Sequence, residues 1–158
     1  MLKKAKTKKP AAKTGGHYAV VASTYNAKYV DSMLAATEKT LEAGGARSIR
    51  VVRVPGAYEI PLIAAKLAHC EAHRPDAIIC LGVIIQGATA HADHIGEAIT
   101  MALTQLQLEF HVPVIHQVLL VDREADAKKR CLDPKFNKGI EAAHAAMEMV
   151  EVLRQLDC

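Results

Sequence analysis

Tryptophan is absent from these 158 residues, and four tyrosines with two phenylalanines make up the rest of the large aromatics. An aromatic beside a candidate site is therefore informative. Long apolar runs are missing too. No stretch reaches the roughly eighteen residues of a membrane-spanning helix, although 51% of the chain is apolar. The four cysteines, Cys70, Cys80, Cys131 and Cys158, lie far apart and form no C-x-x-C. That argues against a zinc finger or a dithiol redox motif and fits a reduced, cytoplasmic protein. Acidic residues are missing from the first sixteen positions, which carry six lysines. This start has no apolar stretch, so it does not read as a secretory signal. Taking its six charges from the net +3 leaves −3 for the remainder. The basic balance belongs to a tail, not to a folded basic face, so no nucleic-acid surface is expected. With little to bury, residues 1–15 read as a disordered basic tail. Residues 16–158 read as one domain, long enough for a substantial core.

What is present is an alternation of strand and helix. "HYAVVAS" (17–23) and "SIRVVRV" (48–54) read as strands. So do "DAIICLGVII" (76–85), with Cys80 as a small core residue, and "PVIHQVLLV" (113–121). The third is continuously apolar and β-branched, as expected of a strand covered on both faces. Between the first two lies a helix with Val30, Met33, Leu34, Thr37 and Leu41 at helical spacing, stopped at Gly44-Gly45. Pro61 suits the first turn of a second helix, running to about His73. Further helices are expected at His91–Glu109, 124–131 and Lys138–Leu156. The pattern predicts an α/β fold, a three-layer α/β/α sandwich around a four-stranded parallel sheet. Ligands in such sheets bind beyond the carboxyl ends of the strands. That nominates the loops after each strand.

"QGATAH" (86–91) is the most suggestive loop. Gly87 has no Cβ, so the backbone can approach a ligand closely. The N–H groups of Ala88 and Thr89, with the Thr89 hydroxyl, can hold an anion at the start of a helix. The plain alternative is a helix cap with Thr89 as N-cap. Neither nucleotide-binding glycine motif is present. His91 falls in the first helical turn, where the positive helix end disfavours imidazolium and suits a general base. His91, Asp93, His94 and Glu97 lack the convergent third ligand that a metal site needs. His94 is expected to face solvent or a neighbour. His69, His73, His111 and His144 look incidental. In "VPGAYEIP" (54–61), backbone groups of Ala57 and Tyr58 and the Glu59 carboxylate can hold polyol hydroxyls. Glu59 can equally cap the next helix. "RCLDPKFNKG" (130–139) offers Arg130 for a two-pronged phosphate contact and Lys138 as a point charge. Surface charge, with Asn137 as a helix cap, explains it as well.

Taken together, "TYNA", "VPGAYEIP", "GVIIQGATAH", "VPVI" and "NKG.EAA" resemble the lumazine synthase family, in its order and at nearly its spacing. The resemblance covers His17 to Leu156. It implies a flavodoxin-like sheet and the condensation of 5-amino-6-(D-ribitylamino)uracil with 3,4-dihydroxy-2-butanone 4-phosphate to 6,7-dimethyl-8-ribityllumazine, without metal or organic cofactor. By matching position, it implies that Tyr25 stacks on the pyrimidine, with Asn26 beside it. Gly56, Ala57, Tyr58 and Glu59 would meet the ribityl chain. Val83, Ile84 and Ile85 would offer backbone contacts to the heterocycle, and Lys138 would approach its carbonyl. Gln86, Gly87, Ala88, Thr89 and Arg130 would form the phosphate site, and His91 would move protons. His116 falls where a neighbouring subunit closes the pocket. A homopentamer or a multiple of pentamers is implied, with riboflavin synthase as a candidate partner. The basic tail lacks the apolar segment that often reaches a neighbour in shells, which favours a smaller assembly.

Three positions depart from the family pattern. Gln86 stands where many members carry arginine, Ala92 where an aromatic often follows the histidine, and His116 where phenylalanine is common. Gln86 and His116 are the main support for a competing reading, an oligomeric scaffold that holds flavin or lumazine and turns over poorly. A flavodoxin-like electron carrier is a third reading, and the scarcity of aromatics argues against it.

Overall fold

A computed structural model of the chain describes residues 15–156. The expected tail lies outside these residues apart from Gly15, as does Cys158. Four strands form one all-parallel sheet: β1 (His17–Ser23), β2 (Ser48–Val54), β3 (Ala77–Ile85) and β4 (Val114–Val121). Their order is β2-β1-β3-β4, so β2 and β4 are the outer strands. The helices are α1 (Ala27–Ala43), α2 (Ile60–His69), α3 (His91–Phe110), α4 (Glu124–Cys131) and α5 (Lys138–Gln155).

Alternating side chains send each strand into two cores. On one face Val20, Ile79, Leu81, Leu119 and Val121 pack with Met33 of α1, Ala127 of α4 and Ala143 of α5. On the other, Val21, Ile78, Cys80, Val114 and Val118 pack with Ala64 of α2 and Leu103 of α3. The expected three-layer sandwich is the one observed. β3 is buried from Ala77 through Val83, which explains its unbroken apolar sequence.

Most expected limits hold within a residue. β4 begins at Val114 because Pro113 has no N–H for the ladder; its carbonyl accepts from Ile78 N at 2.8 Å. α2 differs more. It stops at His69, not His73, and a separate 3-10 turn covers Glu71–His73. Cys70 leaves the helical region at ψ 88°, and Arg74 before Pro75 is extended, as proline demands of its predecessor. Among the described residues no helix is long and apolar enough to cross a membrane. Cys80 and Cys131 are buried free thiols, and burial pushes them up to about 12 and about 11.

Candidate functional site at the carboxyl edge of the sheet

The loops after β1 and β2 are bonded to each other, and the first is bonded to the end of β3. Thr24 N donates to Val54 O at 2.7 Å and Tyr25 N to Pro55 O at 2.9 Å. Asn26 sits in the left-handed region (φ 57°), which asparagine tolerates, and donates through Nδ2 to Val83 O at 2.7 Å. The second loop lies over Gly82. A Cβ there would come within 3.4 Å of the Ala57 Cβ. Tyr25 is 73% exposed and Tyr58 64% exposed on this edge, two of only four tyrosines.

β3 extends past β1. Its last pairing with β1 is at Leu81, so Gly82–Ile85 run free on that side. The Val83 carbonyl faces the gap and takes the Asn26 amide. The two-residue period turns the Ile85 backbone to the same side, while Ile84 aligns with Leu120 of β4. Gly56 N donates to Glu59 Oε2 at 2.8 Å, so the Glu59 side chain caps the 3-10 turn Ala57–Glu59 and not the expected helix α2, to which it gives no side-chain bond.

Past β3, Gln86 N donates to Val121 O at 2.8 Å. Gly87 has ordinary backbone geometry, and nothing lies within 4 Å of the Cβ it lacks. Its conformation does not demand glycine; the space beside it is open. Thr89 is not the N-cap of α3. Ala90 is, with no side-chain cap, because the helix begins at His91 as expected and the residue just before it is alanine. The first N–H groups of α3 therefore lack a side-chain partner, and Ala88, Thr89 and His91 are exposed beside them.

The remaining candidates lie elsewhere. His116 points from β4 toward α3 and lines a groove of about 440 Å³ with Asp93, Glu97, Thr100 and Met101. His116 Nδ1 accepts from Val118 N at 3.3 Å, and Nε2 lies 2.8 Å from Thr100 Oγ1. The Thr100 hydroxyl donates to Gly96 O at 2.8 Å, so the imidazole must donate from Nε2. Both ring nitrogens are used in the neutral form, and burial lowers the pKa of His116 from 6.5. Lys138 and Arg130 belong to the opposite face. Gln117, next along β4, points that way and donates to Lys138 O at 3.1 Å. Lys138 Nζ pairs with Glu141, while Arg130 is exposed on α4 and makes no ion pair among the described residues. Among the described residues, hydrogen bonds thus join the loops after β1 and β2 and the end of β3, and not the segment with Arg130 and Lys138. Arg130 on α4 and Lys138 at the start of α5 lie on the face of the sheet opposite α3. Asn137 does cap α5: its Oδ1 accepts from Gly139 N at 2.8 Å, and its Nδ2 donates to Cys131 O at 2.6 Å. His94, Glu97 and His144 are exposed, Ala92 is buried, and the described residues hold no group of three or more potential metal ligands.

Sequence reading missed several partners, two of which pair residues distant along the chain and one of which lies across the turn into α3. Tyr29 of α1 donates to Glu124 of α4, and this carboxylate, with burial, pushes the phenol up to about 12. Ser32 meets Asn137, and Gln86 meets Asp93.

The chain matches the profile of the family described as 6,7-dimethyl-8-ribityllumazine synthase over residues 15–154. A 6,7-dimethyl-8-ribityllumazine synthase of Stenotrophomonas maltophilia is 43% identical over 141 residues, 88% of this chain and 90% of the relative. One of Kineococcus radiotolerans is 43% identical over 143 residues, 89% of this chain and 87% of its own. One of Xylella fastidiosa is 38% identical over 144 residues, 90% and 92% of the two chains. This chain belongs to the 6,7-dimethyl-8-ribityllumazine synthase family.

Proposed function

We propose that the chain condenses 5-amino-6-(D-ribitylamino)uracil with 3,4-dihydroxy-2-butanone 4-phosphate, giving 6,7-dimethyl-8-ribityllumazine, phosphate and water. The observation that carries this reading is the carboxyl edge of the sheet, where the loops after β1 and β2 are bonded to each other and to the open end of β3, Tyr25 is exposed and α3 starts without a side-chain cap.

In this reading Tyr25 stacks on the pyrimidine, and the free backbone at Ile85 pairs with its polar edge. The loop Gly56–Glu59 meets the ribityl hydroxyls. The amine attacks the ketone carbonyl and expels water as the imine forms. His91 takes the proton whose removal drives loss of phosphate. The N–H groups of Ala88 and Thr89 hold the leaving group, with Arg130 as a bidentate partner. The ribityl-bearing amine then closes the ring and a second water leaves. Holding two substrates in line supplies several kcal/mol of the barrier reduction, of an order of about 7 kcal/mol in good geometry.

The opposed placement of His91 and Lys138 across β4 favours a site shared between copies. One copy gives the loops, and another gives Arg130, Lys138 and the His116 edge. The outer strand β4 and the exposed Met101 and Leu108 of α3 support an interface there. We read the assembly as a homopentamer or a multiple of pentamers, cytoplasmic, with riboflavin synthase as its partner. Incubation with both substrates tests the reading. The product's absorbance should grow in step with released phosphate. Binding of the pyrimidine without product would overturn it and leave the scaffold.

A further inference from the structure

Gln86 makes contacts that the condensation reading does not use. Its Nε2 donates to Asp93 Oδ2 at 3.1 Å and to Thr89 O at 3.4 Å, while its backbone N–H reaches Val121 O at 2.8 Å. One residue thus ties the end of β3 to the end of β4, to the middle of the 86–90 loop and to the first turn of α3. Its Oε1 is buried with no hydrogen-bond partner. Turning the amide over would set that oxygen against the Asp93 carboxylate, acceptor against acceptor. The bond to Asp93 therefore sets the orientation, and the unpaired oxygen is its consequence.

Asp93 is the acidic residue of the first turn of α3. A carboxylate there suits the positive helix end but repels a phosphate arriving at the same end. We infer that Gln86 is a positioning residue for the phosphate substrate: by engaging Asp93 it withdraws that charge from the N–H groups of Ala88 and Thr89 and fixes the loop that presents them. This rests on the phosphate-site reading above. It also gives Gln86 a role without substrate contact.

The test is a four-member cycle: wild type, Gln86→Ala, Asp93→Asn and the double variant. Steady-state kinetics with both substrates is one readout, and calorimetric binding of inorganic phosphate is the other. Gln86→Ala should raise KM for the butanone phosphate on the order of tenfold, as a nearby carboxylate is set free. KM for the pyrimidine should move by less than about twofold. Asp93→Asn in the Gln86→Ala background should recover most of the loss. If Gln86 only packs, the double variant will be as weak as Gln86→Ala or weaker, and both KM values will rise together; that outcome overturns the proposal. Phosphate binding separates the two levels of inference. Rescue of phosphate affinity in a protein that forms no product keeps the role of Gln86 and removes the condensation. Product formation without rescue does the reverse. Should Gln86→Ala fail to fold, Gln86→Met keeps the length and removes the donor, and the same cycle applies.

Discussion

Replacing Gly139 with alanine sets two opposing effects against each other. Alanine is the better helix former by about 1 kcal/mol, and Gly139 lies in the first turn of α5. Propensity alone predicts a more stable protein. The packing predicts the opposite. A Cβ at 139 would sit 2.0 Å from the Met33 carbonyl oxygen and 2.9 Å from the Met33 Cα, both backbone atoms of α1. A close carbon–oxygen contact needs about 3.3 Å, so α5 must retreat from α1 by more than about 1 Å. That retreat strains the buried cap. Asn137 Nδ2 reaches Ser32 Oγ at 3.2 Å, and Thr37 Oγ1 reaches Gly139 O at 3.1 Å. Both bonds would pass beyond hydrogen-bonding distance. Each donor keeps a second acceptor, Cys131 O for Asn137 and Met33 O for Thr37, so the cost is that of two lost hydrogen bonds, about 0.5–1.5 kcal/mol each, with overpacking adding about 1–3 kcal/mol. The net is a loss of roughly 2–4 kcal/mol, or about 5–15 °C in Tm for a chain of this size. Urea unfolding followed by circular dichroism, at matched protein concentration because assembly adds stability, measures it. A variant as stable as wild type, or more so, would refute the close-packing argument.

Gly87→Ala is the functional counterpart. Nothing lies within 4 Å of the missing Cβ, so folding stability should hold or rise by a few tenths of a kcal/mol, about 0.4–1 at most. KM for the phosphate substrate should nevertheless rise, since the added methyl would occupy ligand space; an unchanged KM would remove Gly87 from the site. Arg130→Ala should weaken the phosphate substrate far more than the pyrimidine, whereas His91→Ala should slow turnover without abolishing it. Equal loss of affinity for both substrates would sink the Arg130 assignment. His116 is held neutral with its pKa below 6.5, so the unfolded chain binds the proton first as pH falls. Its contribution to stability is full above 6.5 and is lost as pH drops through that value toward the lowered one. The carboxylates of Asp93 and Glu97 line the same groove. His116→Gln should flatten the difference in urea midpoint between pH 7 and pH 5.5, and an unaltered difference would show that the histidine is not its source.

The parallel sheet was legible because β3 is continuously apolar and the helices carry a clean apolar period. The Asn137 cap was legible because a cap is local, needing only a side chain two residues from its donor. The cations were harder. Chain order shows that Arg130 and Lys138 follow β4, but not that β4 is an outer strand whose succeeding helices pack on the face opposite α3. That depends on the crossover, which pairs residues more than a hundred positions apart, as in Ser32 with Asn137. The loop after β3 was legible as an entry to a helix, built of small residues around Gly87. Its cap was not, because the chain path there is held by Gln86 reaching across to Thr89 and Asp93.

Mixed assemblies test the shared site most directly. Ala88→Glu would disable the loop half and Arg130→Glu the cationic half, leaving each protein nearly inactive alone. Co-expressed in equal amounts, the two should regain product formation at about a quarter of the wild-type rate, because random assembly unites two intact halves at one interface in four. Activity no greater than that of the separate variants would mean that no site is shared across the β4 edge.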